Sequence, residues 1–264
     1  MESIYPELLQ EYLDFCKLRE QAINSKILDL SGLTWIYPTK LLPLVTFLKN
    51  NPAIKPTYPK AYDVQTYFTT ITQEKTHLQK KQTYLPLVTL PLERKQATMI
   101  VERLQHLCDN GKNLGGIQVF GYFLGEMVDN VYDHSQFHHA YVFAQTYPKK
   151  KFSEIALIDD GISIRGSYAK AGHAFTDVEA LLKAMEGLSA KDQERGFGLR
   201  TNVRLFTEGL KGEFLIVSGN AALYVLKGEK KVFKLQNEQA YQGTFISVRL
   251  PYPAHEVNIY DFIS

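Results

Sequence analysis

The apolar positions of this chain follow two periods, and the alternation between them outlines the fold. Over residues 5–26, Leu8, Leu9, Tyr12, Leu13, Phe15 and Leu18 recur at helical spacing. Lys26-Ile-Leu-Asp-Leu30 then reads as a short buried strand closed by a turn at Ser31-Gly32. Residues 38–48 read as a helix with Pro38 in its first turn. Residues 50–62, rich in Pro, Asn and Lys, read as loop. The polar residues 63–82 give no clear period, and their stretch 72–82 reads as a solvated connector. Tyr84-Leu-Pro-Leu-Val-Thr-Leu90 predicts a strand and residues 94–109 an amphipathic helix, followed by a break from Gly111 to Gly116.

A second helical stripe then appears: Phe120, Phe123, Leu124, Met127, Val128 and Val131. Residues 140–147 and 153–158 predict two strands, joined by the turn Pro148-Lys-Lys-Lys151, whose charge reads as a hairpin tip rather than a binding patch. Residues 162–195 are mixed and helix-prone, and residues 199–208 predict a helix opened by Gly196-Phe-Gly-Leu199. Residues 213–218, 221–226, 231–235 and 244–250 alternate like antiparallel strands. The chain is thus expected to be α/β in the α+β sense. A domain boundary near residue 82 would separate residues 1–82 from residues 83–264.

Composition narrows the class. The 264 residues suffice for two domains and a sizeable core, with 45% hydrophobic and 22% charged residues, ordinary for a globular protein. A formal net charge of +2 makes nucleic acid an unneeded partner. Cys16 and Cys108 lie far apart inside helical patterns and read as reduced and buried. No apolar run reaches membrane-spanning length and Met1-Glu2 does not open a signal peptide, so a cytoplasmic protein without membrane association is expected.

The candidate chemistry begins with Glu126 and Asn130, four residues apart on one helix face beside the buried stripe, with His134 one turn further. A carboxamide oxygen suits Mg²⁺ and a carboxylate suits the activation of a water or hydroxyl. In Ala156-Leu-Ile-Asp-Asp-Gly-Ile-Ser-Ile164, a carboxylate follows an apolar strand, suited to accept from an exocyclic base amine, and the adjacent glycine admits a flat ring. In Glu194-Arg-Gly-Phe-Gly-Leu-Arg200, glycines at a helix start expose N–H groups to phosphate, with Arg195 and Arg200 beside them. Gly243-Thr-Phe-Ile-Ser-Val-Arg-Leu-Pro251 is a strand with a hydroxyl at its entry. Each segment alone is also what an ordinary turn or solvated helix face looks like. His134, His138 and His139 lack the further ligands a metal site needs.

Taken in order, these segments resemble the GHKL ATPase and kinase superfamily, whose members share the Bergerat ATP-binding fold. Gly125-Glu-Met-Val-Asp-Asn-Val-Tyr-Asp-His134 resembles its N box and Asp159-Asp-Gly-Ile-Ser163 its D-x-G-x-G box. Gly196-Phe-Gly-Leu199 resembles its second glycine box, and Gly243 to Pro251 the closing strand of the histidine-kinase type. The resemblance spans roughly residues 84–253 and implies a two-layer α/β sandwich of Bergerat type that binds ATP and Mg²⁺. It assigns Asn130 to Mg²⁺ and Glu126 to catalysis. It gives Asp159 to the adenine amine, with Gly161 against the ring and Thr244 in support. Arg195, Gly196, Phe197, Gly198 and Leu199 fall to the phosphate side, Asp133 to the site edge, and residues 162–195 to the lid. Ser163 departs from the pattern, which has glycine there.

Residues 27–42 are similar to the strand–turn–helix core of a STAS domain, here a smaller N-terminal α/β unit. That resemblance puts Thr39 at the phosphoacceptor position, although Tyr37-Pro38 replaces the usual acid and Lys40 the usual glycine. On the residues alone, Pro38-Thr39 simply starts a helix. The resemblance implies an ATP-dependent regulatory protein acting on a partner protein, kinase-like, with a homodimer as one form. An ATP-hydrolysing switch and a nucleotide-gated binding module without turnover are the other readings.

Overall fold

The computed structural model describes residues 4–72, 87–107, 111–188 and 198–262. The N-terminal part comprises α1 (Glu7–Ser25), β1 (Ile27–Asp29), α2 (Pro38–Asn50), β2 (Lys55–Thr57) and α3 (Tyr62–Thr72). After β3 (Val88–Thr89) come α4 (Ala97–Leu107) and α5 (Ile117–Asn130), which runs on into a π-helical turn over Val131–Ser135. There follow β4 (Ala140–Tyr147), β5 (Phe152–Asp159), α6 (Ile164–Lys170), α7 (Asp177–Glu186) and α8 (Gly198–Arg204). Four strands close the chain: β6 (Glu213–Gly219), β7 (Ala221–Leu226), β8 (Glu229–Lys234) and β9 (Tyr241–Pro251).

The protein is mixed α/β, built on a seven-stranded sheet of order β3-β4-β5-β9-β6-β7-β8, antiparallel throughout. The last strand inserts between β5 and β6, so residues more than eighty positions apart become ladder partners, such as Asp159 and Thr244. Both faces of the central strands are covered. Val142, Ile155, Leu157 and Ile216 join one core with α4, α5 and α7, whereas Tyr141, Phe143, Ala156 and Leu215 join the other with α1, α2 and α3. This explains the uninterrupted apolar runs Ile155-Ala-Leu-Ile158 and Phe214-Leu-Ile-Val217, because a strand packed on both faces has no solvent side to mark with polar residues.

The N-terminal elements therefore form a third layer on the sheet. Helix α2 lies against α1, β4 and β5, and every residue from Pro38 to Phe47 is buried. A helix buried all round is the middle of a sandwich rather than its surface. Each fully buried Leu or Phe contributes about 1.5–3 kcal/mol, and this layer inserts Tyr12, Phe15 and Phe68 into the joint core.

Two elements differ from the sequence reading. Residues 62–72 form a helix where no period was assigned, burying Val64, Phe68 and Ile71 at i, i+4 and i+7. Lys55-Pro-Thr57 pairs in parallel with β1 inside the expected loop, a strand made by its partner rather than by any apolar alternation. The boundary expected near residue 82 falls outside the described residues, as does Cys108; Cys16 is a buried free thiol. No helix among the described residues is long and apolar enough to cross a membrane.

Candidate functional site

A cleft of about 120 Å³ opens between the sheet's inner face and the helices α5, α6, α7 and α8. Its floor is apolar, from Leu157, Ile216 and Ile246 on the sheet and Met127 on α5. Its polar groups include Asn130, Asp159, Ser163, Ser167 and Thr244, and the Gly198–Leu199 helix start also borders it. Asn130 is the last α-helical residue before the π turn. The wider turn carries the chain past the end of β5, a kind of irregularity frequent at functional sites. His134, within that turn, also lines the cleft and lies 3.3 Å from the Ser167 hydroxyl.

Asp159 ends β5 and is buried, with 2% of its surface exposed. Burial pushes its carboxyl from the ordinary 3.8 up to about 7, against the backbone N–H groups of Gly161 and Thr244 that donate to it. The Gly161 donation is 3.0 Å long. Gly161 is required by contact: a β-carbon there would lie 2.0 Å from the Ser135 carbonyl oxygen. The neighbouring carboxylate, Asp160, accepts from the backbone N–H groups of His138 and His139 and meets His139 Nδ1. Burial would raise it, but these bonds hold it below the usual carboxylate range.

Ser163, the departure from the glycine pattern, is the N-cap of α6; its hydroxyl accepts from Gly166 N–H at 3.1 Å. Ser218 ties the site together, accepting from Ile164 N–H and donating to the Gly243 carbonyl. At the start of α8, a β-carbon on Gly198 would lie 1.9 Å from Glu126 Oε2. Glu126 thus sits against the helix start beside the cleft rather than in its lining, with half-buried Tyr122 close by. Arg200, on the same helix, is exposed.

Two expected site residues have other work. Asp133 does not line the cleft; with Asp129 it receives both arms of Arg94, the Asp129 bond being 2.6 Å. Thr39 is fully buried beneath the opposite face of the sheet. Its N–H and hydroxyl both donate to Glu154 Oε1, at 2.8 and 2.6 Å, and its hydroxyl lies 2.6 Å from Ser247 Oγ. A carboxylate from β5 thus occupies the start of α2, and both donors of Thr39 are engaged within the protein. Arg195, Gly196 and Phe197 lie outside the described residues.

Sequence reasoning missed Ser167, Tyr168 and Leu188 as cleft walls. Ser167 follows the cap Ser163 at i+4, a spacing visible only once α6 is known to start there. Among the described residues no group of three or more His, Cys, Asp or Glu side chains could hold a metal ion. No protein-family model matches the chain, and no curated protein matches it.

Proposed function

We propose that this chain is an ATP- and Mg²⁺-binding regulatory protein of the GHKL class, with the Bergerat arrangement in its inner layers, and that it acts as a kinase-like switch on a Ser or Thr of a partner protein. One observation carries the reading: Asn130, Asp159, Gly198 and Thr244, drawn from four distant segments, border a single cleft with an apolar floor. In this reading the adenine enters between Ile246 and Met127, and its amine donates to the Asp159 carboxylate. Asn130 would supply a carboxamide oxygen to hold Mg²⁺, the hard-oxygen donor such an ion takes. Held there, the ion would supply neutralisation of phosphoryl charge. Glu126, beside the α8 start, takes the proton of the attacking hydroxyl as the new O–P bond forms and ADP leaves.

The same position of Glu126 favours a second reading, in which the attacking group is water and the protein is an ATP-hydrolysing switch. Incubation with γ-labelled ATP and Mg²⁺, alone and with candidate partner proteins, separates them. Label on a protein hydroxyl supports transfer and free phosphate alone supports hydrolysis. Binding without either supports a nucleotide-gated module. Normal ATP binding by Asp159→Asn would defeat the placement of the adenine.

A further inference from the structure

The basic turn Pro148-Lys-Lys-Lys151 gains a companion in the fold that the sequence does not reveal. Lys150, Lys151 and Lys211 are exposed and converge on a cavity of about 540 Å³, with Arg249 also in its wall. Tyr37 and Phe152 supply an aromatic side: the Arg249 guanidinium lies 4.5 Å from the Phe152 ring centre and Lys150 lies 4.8 Å from that of Tyr37.

The charge there is unbalanced. Lys151 and Lys211 form no ion pair with a described residue. The wall's carboxylates are Glu7 and Glu213, two against the four cations, and Glu213 Oε2 accepts from the Tyr224 hydroxyl. Both free lysines also occupy left-handed backbone positions, Lys151 at φ 59° and Lys211 at φ 56°. Glycine fits that region without the strain a β-carbon brings, so cations stand where the backbone alone would favour glycine. Outliers of this kind concentrate at binding sites.

One of the cavity's cations already carries a carboxylate of the protein itself. Arg249 spends Nε and Nη2 on buried Glu154, at 3.1 and 3.0 Å, and offers Nη1 to Glu7 Oε2 at 2.8 Å. The Glu7 side chain is 65% exposed, whereas that of Arg249 is 7% exposed. A carboxylate reaching in from the solvent side thus already rests on the guanidinium. We propose that this cavity docks an acidic segment of a partner protein, one carboxylate taking the place of Glu7 on Arg249 and others meeting Lys151 and Lys211. A carboxylate in place, an aromatic wall and a chain-wide charge of only +2 favour an acidic peptide over a nucleic acid backbone.

The test is fluorescence anisotropy of a labelled hexaglutamate peptide with the full chain, at low and high salt, beside a thymine oligonucleotide of equal charge. The peptide should bind and weaken with salt. Lys151→Gly with Lys211→Gly should weaken it about tenfold while the melting temperature holds or rises, since glycine relaxes both turns. Glu7→Gln should tighten it several-fold by removing the internal competitor. Four results would overturn the proposal: no peptide binding, an unchanged affinity in the double variant, a weaker one in Glu7→Gln, or an oligonucleotide that binds as tightly as the peptide.

Discussion

Strand β5 carries two buried carboxylates, and their surroundings give them opposite roles. Glu154 faces the N-terminal layer and is saturated from within the protein, by two bonds from Arg249 and two from Thr39. Burial pushes its carboxyl up, and Arg249 and then Thr39 pull against that. Asp159 faces the cleft and, among the described residues, accepts from backbone N–H donors only, and burial raises it to about 7. A buried carboxylate whose partners are all internal fastens two layers. One left with unused acceptor capacity beside a cavity is available to a ligand.

The largest effect should come from breaking the closed site. Glu154→Ala leaves Arg249 without its buried partner and should cost about 3–5 kcal/mol in urea unfolding. A cost below about 1 kcal/mol would show that the N-terminal layer is held by apolar packing alone. Next comes the pH dependence of the open site. Because the folded pKa of Asp159 lies above its unfolded value, its contribution is fully present below about pH 4 and is lost as the pH rises to about 7. Asp159→Asn should remove that slope, so the variant gains on the wild type by up to about 4 kcal/mol across the window, at about 1.36 kcal/mol per unit. A constant stability difference would mean that water reaches Asp159 freely.

The ligand side of the same comparison is smaller. Losing a hydrogen bond to a charged acceptor should cost Asp159→Asn about 1.5–3 kcal/mol of ATP affinity by calorimetry. Wild-type affinity should rise as the pH passes about 7 and the carboxylate forms. The smallest effect tests Ser163 as a cap: Ser163→Ala should cost about 1 kcal/mol and Ser163→Gly a few tenths, with ATP affinity kept in both. A loss of binding in Ser163→Gly would give the hydroxyl a role in the cleft.

Much of this was legible in the chain. The stripe from Phe120 to Val131 marked α5, because an amphipathic period reports burial on one side; the C-terminal strands were legible too, although β6 and most of β9 are buried on both faces rather than alternating. The N-terminal layer was legible only in retrospect, through the double-sided apolar runs of β5 and β6. Helix α3 was overlooked because three apolar residues, Val64, Phe68 and Ile71, suffice to hold a helix that is otherwise polar. Thr39 illustrates the limit on the site side: nothing local to Pro38-Thr39 foretells a carboxylate arriving from 115 residues away.

The sequence by itself determined the helix and strand periods and the order of the chemically suggestive segments, since both depend on near neighbours along the chain. The tertiary structure alone decided which of those residues meet. Insertion of β9 beside β5 brings Thr244 to Asp159. The π turn after Asn130 and the close contact at Gly161 shape the cleft edge, and the third layer turns Thr39 and Glu154 into a fastening. The physical reason is that side-chain period encodes a face, whereas strand order and layer stacking choose what that face meets.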